Sequence, residues 1–252
     1  MSEKSVTVER HGAHVGVVCL HRPPNNYFDT GLVEDVATAY EELDGSGWCR
    51  AVVLASEGRH FCAGLDFVGN AGQDIAALYR AALRLFAAPL PVVAAVQGAA
   101  IGGGCGLALS ADFRVATPQS RFSANFARLG FHHGFALSVT LPAVVGRQAA
   151  ADLLYTGRRV GGEEALALGL CDRLAAAGDL LAHAVGYADE LAASGPLAVR
   201  SIRATLRGDV VEEARRAMEH ECVEQTRLRH TADFAEGVRA AAERRTPSFR
   251  GA

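Results

Sequence analysis

Two glycine-marked turns limit what this chain can become more than any other feature. One is His60-Phe61-Cys62-Ala63-Gly64-Leu65-Asp66-Phe67, the other Val96-Gln97-Gly98-Ala99-Ala100-Ile101-Gly102-Gly103-Gly104-Cys105-Gly106-Leu107-Ala108. Each follows a β-branched run and leads toward a segment rich in helix formers, so each reads as a strand-to-helix turn. Glycine there admits unusual dihedrals and lets a ligand approach the main chain. The N–H groups at a helix start point outward unsatisfied, with the positive end of the helix dipole behind them. Two such turns facing each other would hold one anionic oxygen between two N–H donors, which is the oxyanion-hole device.

Around these turns the pattern alternates. A strand is expected over 14–20, then a turn at Pro23-Pro24-Asn25-Asn26 and a helix over 32–43. Strands over 51–55 and 92–96 enclose a helix over 74–86 that Pro89 and Pro91 stop. A strand over 114–116 leads to a loop carrying His132-His133, followed by helices from 136 and over 147–154, a helix opened by Gly161-Gly162, and a strand near 171–174. This alternation predicts parallel strands with helices outside. After Ser194-Gly195-Pro196 the pattern becomes all-helical, with Val211, Ala214, Met218 and Cys222 forming an apolar stripe. The chain therefore divides into an α/β core over 1–195 and a helical subdomain over 196–252.

The order of these segments resembles the crotonase (enoyl-CoA hydratase/isomerase) superfamily. The likeness runs through Arg22-Pro23-Pro24-Asn25-Asn26, both turns, Ala111-Asp112-Phe113-Arg114-Val115-Ala116, and the stretch from Glu236-Gly237-Val238 to Arg244-Arg245-Thr246-Pro247-Ser248-Phe249. It implies a crotonase-type spiral of ββα turns with a C-terminal helical region that packs between subunits, giving homotrimers or homohexamers. It also implies an acyl-CoA thioester as partner, with coenzyme A part of the substrate and no other cofactor or metal. The two N–H donors map to Leu65 and Gly103. Backbone of Asn26, Tyr27 and Ala63 would line the adenine side, Asp66 and Phe126 would adjoin the substrate, and Phe249 or Arg250 would reach a neighbouring subunit's ligand.

Hydratases of this family use two glutamates, and here their positions are Gly106 and Phe126. Neither side chain moves a proton, so water addition by a glutamate pair is not expected, although such chemistry is worth roughly 10²- to 10⁴-fold in rate. The chain is expected to act on acyl-CoA through a stabilised enolate, as a lyase or isomerase, with decarboxylation and isomerisation left open. The alternatives are a non-catalytic acyl-CoA-binding protein and a thioester or C–C hydrolase. His133, at a position where decarboxylating relatives carry tyrosine or aspartate, and His132 beside it are the candidate acid/base residues, since histidine titrates near neutrality. Tyr79 is expected chiefly to pack, while Phe126, Phe131 and Phe135 suggest an apolar pocket for the acyl group, phenylalanines being also ordinary core residues. Cys62 and Cys105 flank the turns but read as small buried residues.

Composition fits an enzyme of this kind. Half of the 252 residues are hydrophobic, and 25 basic against 28 acidic residues give a net charge of −3. No basic stripe suggests nucleic acid. The six cysteines show no CxxC spacing, against a zinc ribbon or disulfide framework. No apolar run reaches the roughly 18 residues of a membrane span, and the start lacks the apolar stretch of a signal peptide, so a reduced, cytoplasmic setting is expected.

Overall fold

A computed structural model describes residues 5–66 and 74–252. Their elements run β1 (Val6–His11), β2 (Val15–Leu20), α1 (Thr30–Gly45), β3 (Ala51–Ser56), α2 (Ile75–Ala87), β4 (Val92–Val96), β5 (Ala99–Ile101), α3 (Gly103–Ser110), β6 (Phe113–Ala116) and β7 (Arg121–Ser123). A 3₁₀ turn, Asn125–Leu129, is followed by α4 (Leu137–Val145), α5 (Arg147–Thr156), β8 (Val160–Gly161), α6 (Gly162–Leu168), β9 (Arg173–Leu174), α7 (Leu180–Ala192), α8 (Pro196–Leu206), α9 (Val210–Leu228) and α10 (Ala232–Ala242).

Two sheets organise these elements. The larger has the order β1-β2-β3-β4-β6-β9 and the smaller β5-β7-β8. Only the β1–β2 hairpin is antiparallel in the larger sheet, with β2–β3, β3–β4, β4–β6 and β6–β9 all parallel. β3 and β4 are buried along nearly their whole length, which is why they read as continuous apolar runs and not as alternating ones. Successive turns of the chain lay one strand in each sheet: β4 then β5, β6 then β7. This is the ββα spiral expected from the sequence.

The smaller sheet was not expected from the sequence. Its strands are two or three residues long, too short for a period-2 pattern to register. They nonetheless matter, because β5 delivers the chain to Gly102 and α3. The helices after residue 195 do not form a core of their own: Ala214 and Met218 are buried in the same apolar cluster as β3, β4 and α2. α1 and α2 are each capped by a preceding aspartate, Asp29 Oδ1 accepting from Leu32 N–H at 2.8 Å and Asp74 Oδ1 from Ala77 N–H at 3.1 Å. Among the described residues no helix is long and apolar enough to cross a membrane.

Candidate active site

The two turns meet at one cavity of 210 Å³ whose wall includes Leu65 and Gly103. Hydrogen bonds around them show where their N–H groups point. In a trans peptide the C=O and N–H of one unit point in opposite directions. Gly64 O accepts from Phe28 N–H at 3.1 Å, so the Leu65 N–H of the same unit points away from Phe28. On that side lies β5, which Cys62 joins through Cys62 N–H to Ala99 O and Ile101 N–H to Cys62 O, both 3.0 Å. The reversal occurs at Gly64, whose φ of +91° only glycine adopts without strain.

The second donor follows the same logic. Gly102 O accepts from Cys105 N–H at 3.0 Å and Gly106 N–H at 3.3 Å, so this carbonyl points down α3. Gly103 N–H, on the same peptide unit, therefore points out of the helix start. Position 103 also tolerates no side chain, because a Cβ there would overlap the Phe28 ring.

The wall opposite these donors comes from α2, the loop before α4, and α9. Phe131 and Phe135 enter the cavity from the loop, and Phe126 joins them. Phe135 lies edge-on to Phe28 with centroids 5.7 Å apart. It fills the space beside Gly106, where an added Cβ would come within 2.6 Å of the Phe135 Cβ. Phe135 and the next residue, Ala136, have φ of +61° and +57°, a region costly for residues with a side chain. The buried Glu221 of α9 holds them there. Its carboxylate accepts from Ala136 N–H at 2.9 Å, Ser138 N–H at 3.1 Å and Ser138 O–H at 2.7 Å. Burial raises the Glu221 pKa, an effect these bonds oppose.

This loop corrects the expectation for its histidines. Phe131 and Phe135 face the cavity, while His132 and His133 turn toward α9 and are absent from the cavity wall. The His133 Nε2 lies 2.8 Å from Ser138 Oγ. Ser138 gives its only proton to Glu221, so His133 donates to Ser138. The two rings stack at 4.1 Å, and His132 meets His220 edge-on. Burial, then the neighbouring His132 and His220, push His133 down to about 4. Nothing in this placement offers either ring to a bound acyl group.

The polar side chains that do reach the cavity are Tyr27, Tyr79, Asn125, Gln225 and Arg229. Tyr79 donates to Gln225 Oε1 at 3.2 Å, and Gln225 Nε2 donates to His132 O at 3.0 Å. Burial, with the Glu221 charge adding to it, raises the Tyr79 phenol well above its ordinary value, so it is a proton donor at neutral pH. Tyr79 was expected to pack, and Gln225 and Arg229 were not singled out at all. A signal did exist. The stripe through Val211, Ala214, Met218 and Cys222 continues at three- and four-residue steps to Gln225 and Arg229, so polar residues occupy positions where core residues belong.

The remaining expectations fall into two groups. Tyr27 and Ala63 line the cavity. Asn26 does not: its side chain is fully buried, accepting from Arg22 N–H at 2.9 Å and donating to Glu57 O and His60 O at 2.7 Å. It fastens the Pro23-Pro24 turn to the first glycine turn. Asp66 is absent from the cavity wall, and Phe249 lines an adjoining groove with Arg128, Arg159 and Arg244 that shares Ile101, Asn125, Leu129 and Ala241 with the cavity. Burial raises both Cys62 and Cys105 to about 12, which removes them as nucleophiles.

The profile of the enoyl-CoA hydratase/isomerase family matches residues 10–252. The chain belongs to that family. An enoyl-CoA isomerase/hydratase of Zymoseptoria tritici is 32% identical over 265 residues, covering 96% of this chain and 85% of the relative. Among solved structures, an enoyl-CoA hydratase/isomerase from Pseudoalteromonas atlantica superposes with a TM-score of 0.88 at 31% identity, covering 98% of this chain and all of that one. An enoyl-CoA hydratase from Mycobacterium avium subsp. paratuberculosis superposes at 0.87 with 27% identity, covering 98% and 99%. The crotonase fold is thus shared over essentially the whole chain.

Proposed function

We propose that this family member forms a thioester enolate between the N–H groups of Leu65 and Gly103 and does not add water by a pair of glutamates. The observation that carries this reading is the cavity wall. Among the described residues it holds no Asp, Glu or His, and the positions matched to the two glutamates are Gly106, packed under Phe135, and Phe126.

A site with donors for an enolate but no carboxylate base suits a reaction that forms the enolate without removing a proton. Loss of CO₂ from a malonyl-type thioester, whose carboxylate sits on the α-carbon, meets that condition. The C–C bond breaks heterolytically, CO₂ departs, and the electron pair passes through the α-carbon to the thioester oxygen between the two N–H groups. The Tyr79 O–H then supplies the α-proton and is reprotonated from solvent. Each N–H donor of such a hole is worth roughly 3–4 kcal/mol of barrier. Isomerisation through the same enolate would need a base, and the raised Tyr79 phenol is poorly suited to that role.

The test is to incubate the protein with malonyl-CoA or methylmalonyl-CoA in D₂O and follow the acyl product by mass spectrometry, with crotonyl-CoA hydration measured alongside. Release of CO₂ with one deuterium at the α-carbon is expected, with little hydration. Hydration at the rate of a two-glutamate enzyme would overturn the reading. Acyl-CoA binding without turnover of any thioester would leave the non-catalytic binder as the function. α8 supports the homotrimer or homohexamer, since none of its residues is buried and Leu197, Ile202 and Leu206 are 81%, 59% and 79% exposed; light scattering would measure it.

A further inference from the structure

Arg229 differs from the other arginines packed into the protein in having no carboxylate paired with it among the described residues, although Arg203 also keeps one buried nitrogen without a partner. Arg114, 3% exposed, pairs with Asp172, while Arg203 and Arg207 share Asp112. Arg229 lines the cavity, and its Nε is buried without a hydrogen-bond partner among the described residues. The ionisable groups that bear on it are Tyr79 and Cys222, neither of them a carboxylate. Arg229 is half-buried, and a buried guanidinium nitrogen left without a partner is costly. Its planar fork of donors is suited to a carboxylate.

We propose that the acyl group taken into this cavity carries its own carboxylate, which the Arg229 guanidinium receives: the substrate is a short dicarboxylyl thioester and not a neutral fatty acyl one. The inference rests on the acyl-CoA reading above and adds the acyl class to it. Tyr79 donates to Gln225 and Gln225 to His132 O, whereas the buried Arg229 Nε has no partner among the described residues. The cavity, about 210 Å³, has room for a short acyl group. An ion pair to a departing carboxylate stabilises the ground state, so Arg229 serves recognition and not the loss of CO₂.

Calorimetric titration of the intact protein with succinyl-CoA and butyryl-CoA tests this. The two acyl chains are equally long, and one ends in a carboxylate. Succinyl-CoA cannot lose CO₂ to an enolate, so binding is read without turnover. The wild type is expected to favour succinyl-CoA by about tenfold or more, the scale of a charge-assisted pair. Arg229→Met should abolish the preference while butyryl-CoA affinity is kept, and Arg229→Lys should restore part of it. Equal affinities in the wild type, or a preference that survives Arg229→Met, would overturn the proposal, and the wild-type comparison stands even where a variant does not fold. If neither thioester binds, the acyl-CoA reading itself fails, a result distinct from binding without preference.

Discussion

The two walls of the cavity are built on different principles. On one, the proposed function is carried by peptide units: Leu65 and Gly103 would contribute N–H groups, and the side chains matter only where they would intrude. On the other, it is carried by side chains of α2 and α9 that meet across the chain, Tyr79 and Gln225 being 146 residues apart. The first wall can persist through wide sequence change because any residue with the right dihedrals supplies the same donor. The second can be rewritten by single substitutions, and the polar set there differs from the glutamate pair that the family resemblance implies. On the proposed reading, a means of stabilising an enolate that rests on the backbone stands opposite a means of handling protons and charge that rests on side chains.

That contrast can be broken at several points. The largest effect is expected from deleting the Gly103 N–H by amide-to-ester replacement, which should lower turnover by roughly 10²- to 10³-fold and leave thioester affinity nearly intact. Leu65→Ala, which keeps the N–H, should change the rate far less. Similar losses from both substitutions would show that the first wall works through side chains after all.

Tyr79→Phe attacks the opposite wall. It preserves the ring and its packing but removes the proton, so turnover should fall by about 10²-fold, at the lower end for a general acid, with affinity little changed. An unaltered rate would assign the α-proton to water.

Restoring a glutamate sharpens the comparison further. Gly106→Glu puts a side chain against Phe135 and is expected to cost about 1–3 kcal/mol of stability, the usual scale of overpacking, with no gain of crotonyl-CoA hydration. Pairing it with Phe135→Ala should recover part of that stability. Chemical denaturation of the wild type and the two variants measures both stability changes, and a stable, hydrating Gly106→Glu variant would show that the wall is more permissive than its packing implies.

The smallest effect concerns the histidines outside the cavity. The folded state holds His133 at about 4 against an ordinary 6.5, so between those values the unfolded chain binds a proton that the folded one does not. His133 therefore destabilises the fold as pH falls through that window and is neutral above it. His133→Gln should leave turnover at pH 7.5 unchanged and flatten the loss of stability between pH 6.5 and 4. A large loss of turnover would return His133 to the mechanism.

What could be read in advance follows the same division. The strands over 51–56 and 92–96, the helices that flank them and both glycine turns were legible because their signals are local: apolar runs, caps and glycine clusters. β5, β7 and β8 were not, since strands this short are specified by their partners. The loop over 130–136 shows the limit most clearly. Two histidines placed beside a glycine read as catalytic, yet the positive φ of Phe135 and Ala136, enforced by Glu221 from 85 residues away, turns the phenylalanines inward and the histidines out.

By itself, then, the sequence determined the family, the spiral of parallel strands and the two glycine turns, because each depends on what neighbouring residues allow the main chain to do. Only the tertiary structure decided which side chains meet the ligand. That choice belongs to the packing of α9 against α2 and the loop before α4, where a buried carboxylate sets the loop's dihedrals and the Arg229 Nε is left without a partner among the described residues beside the cavity.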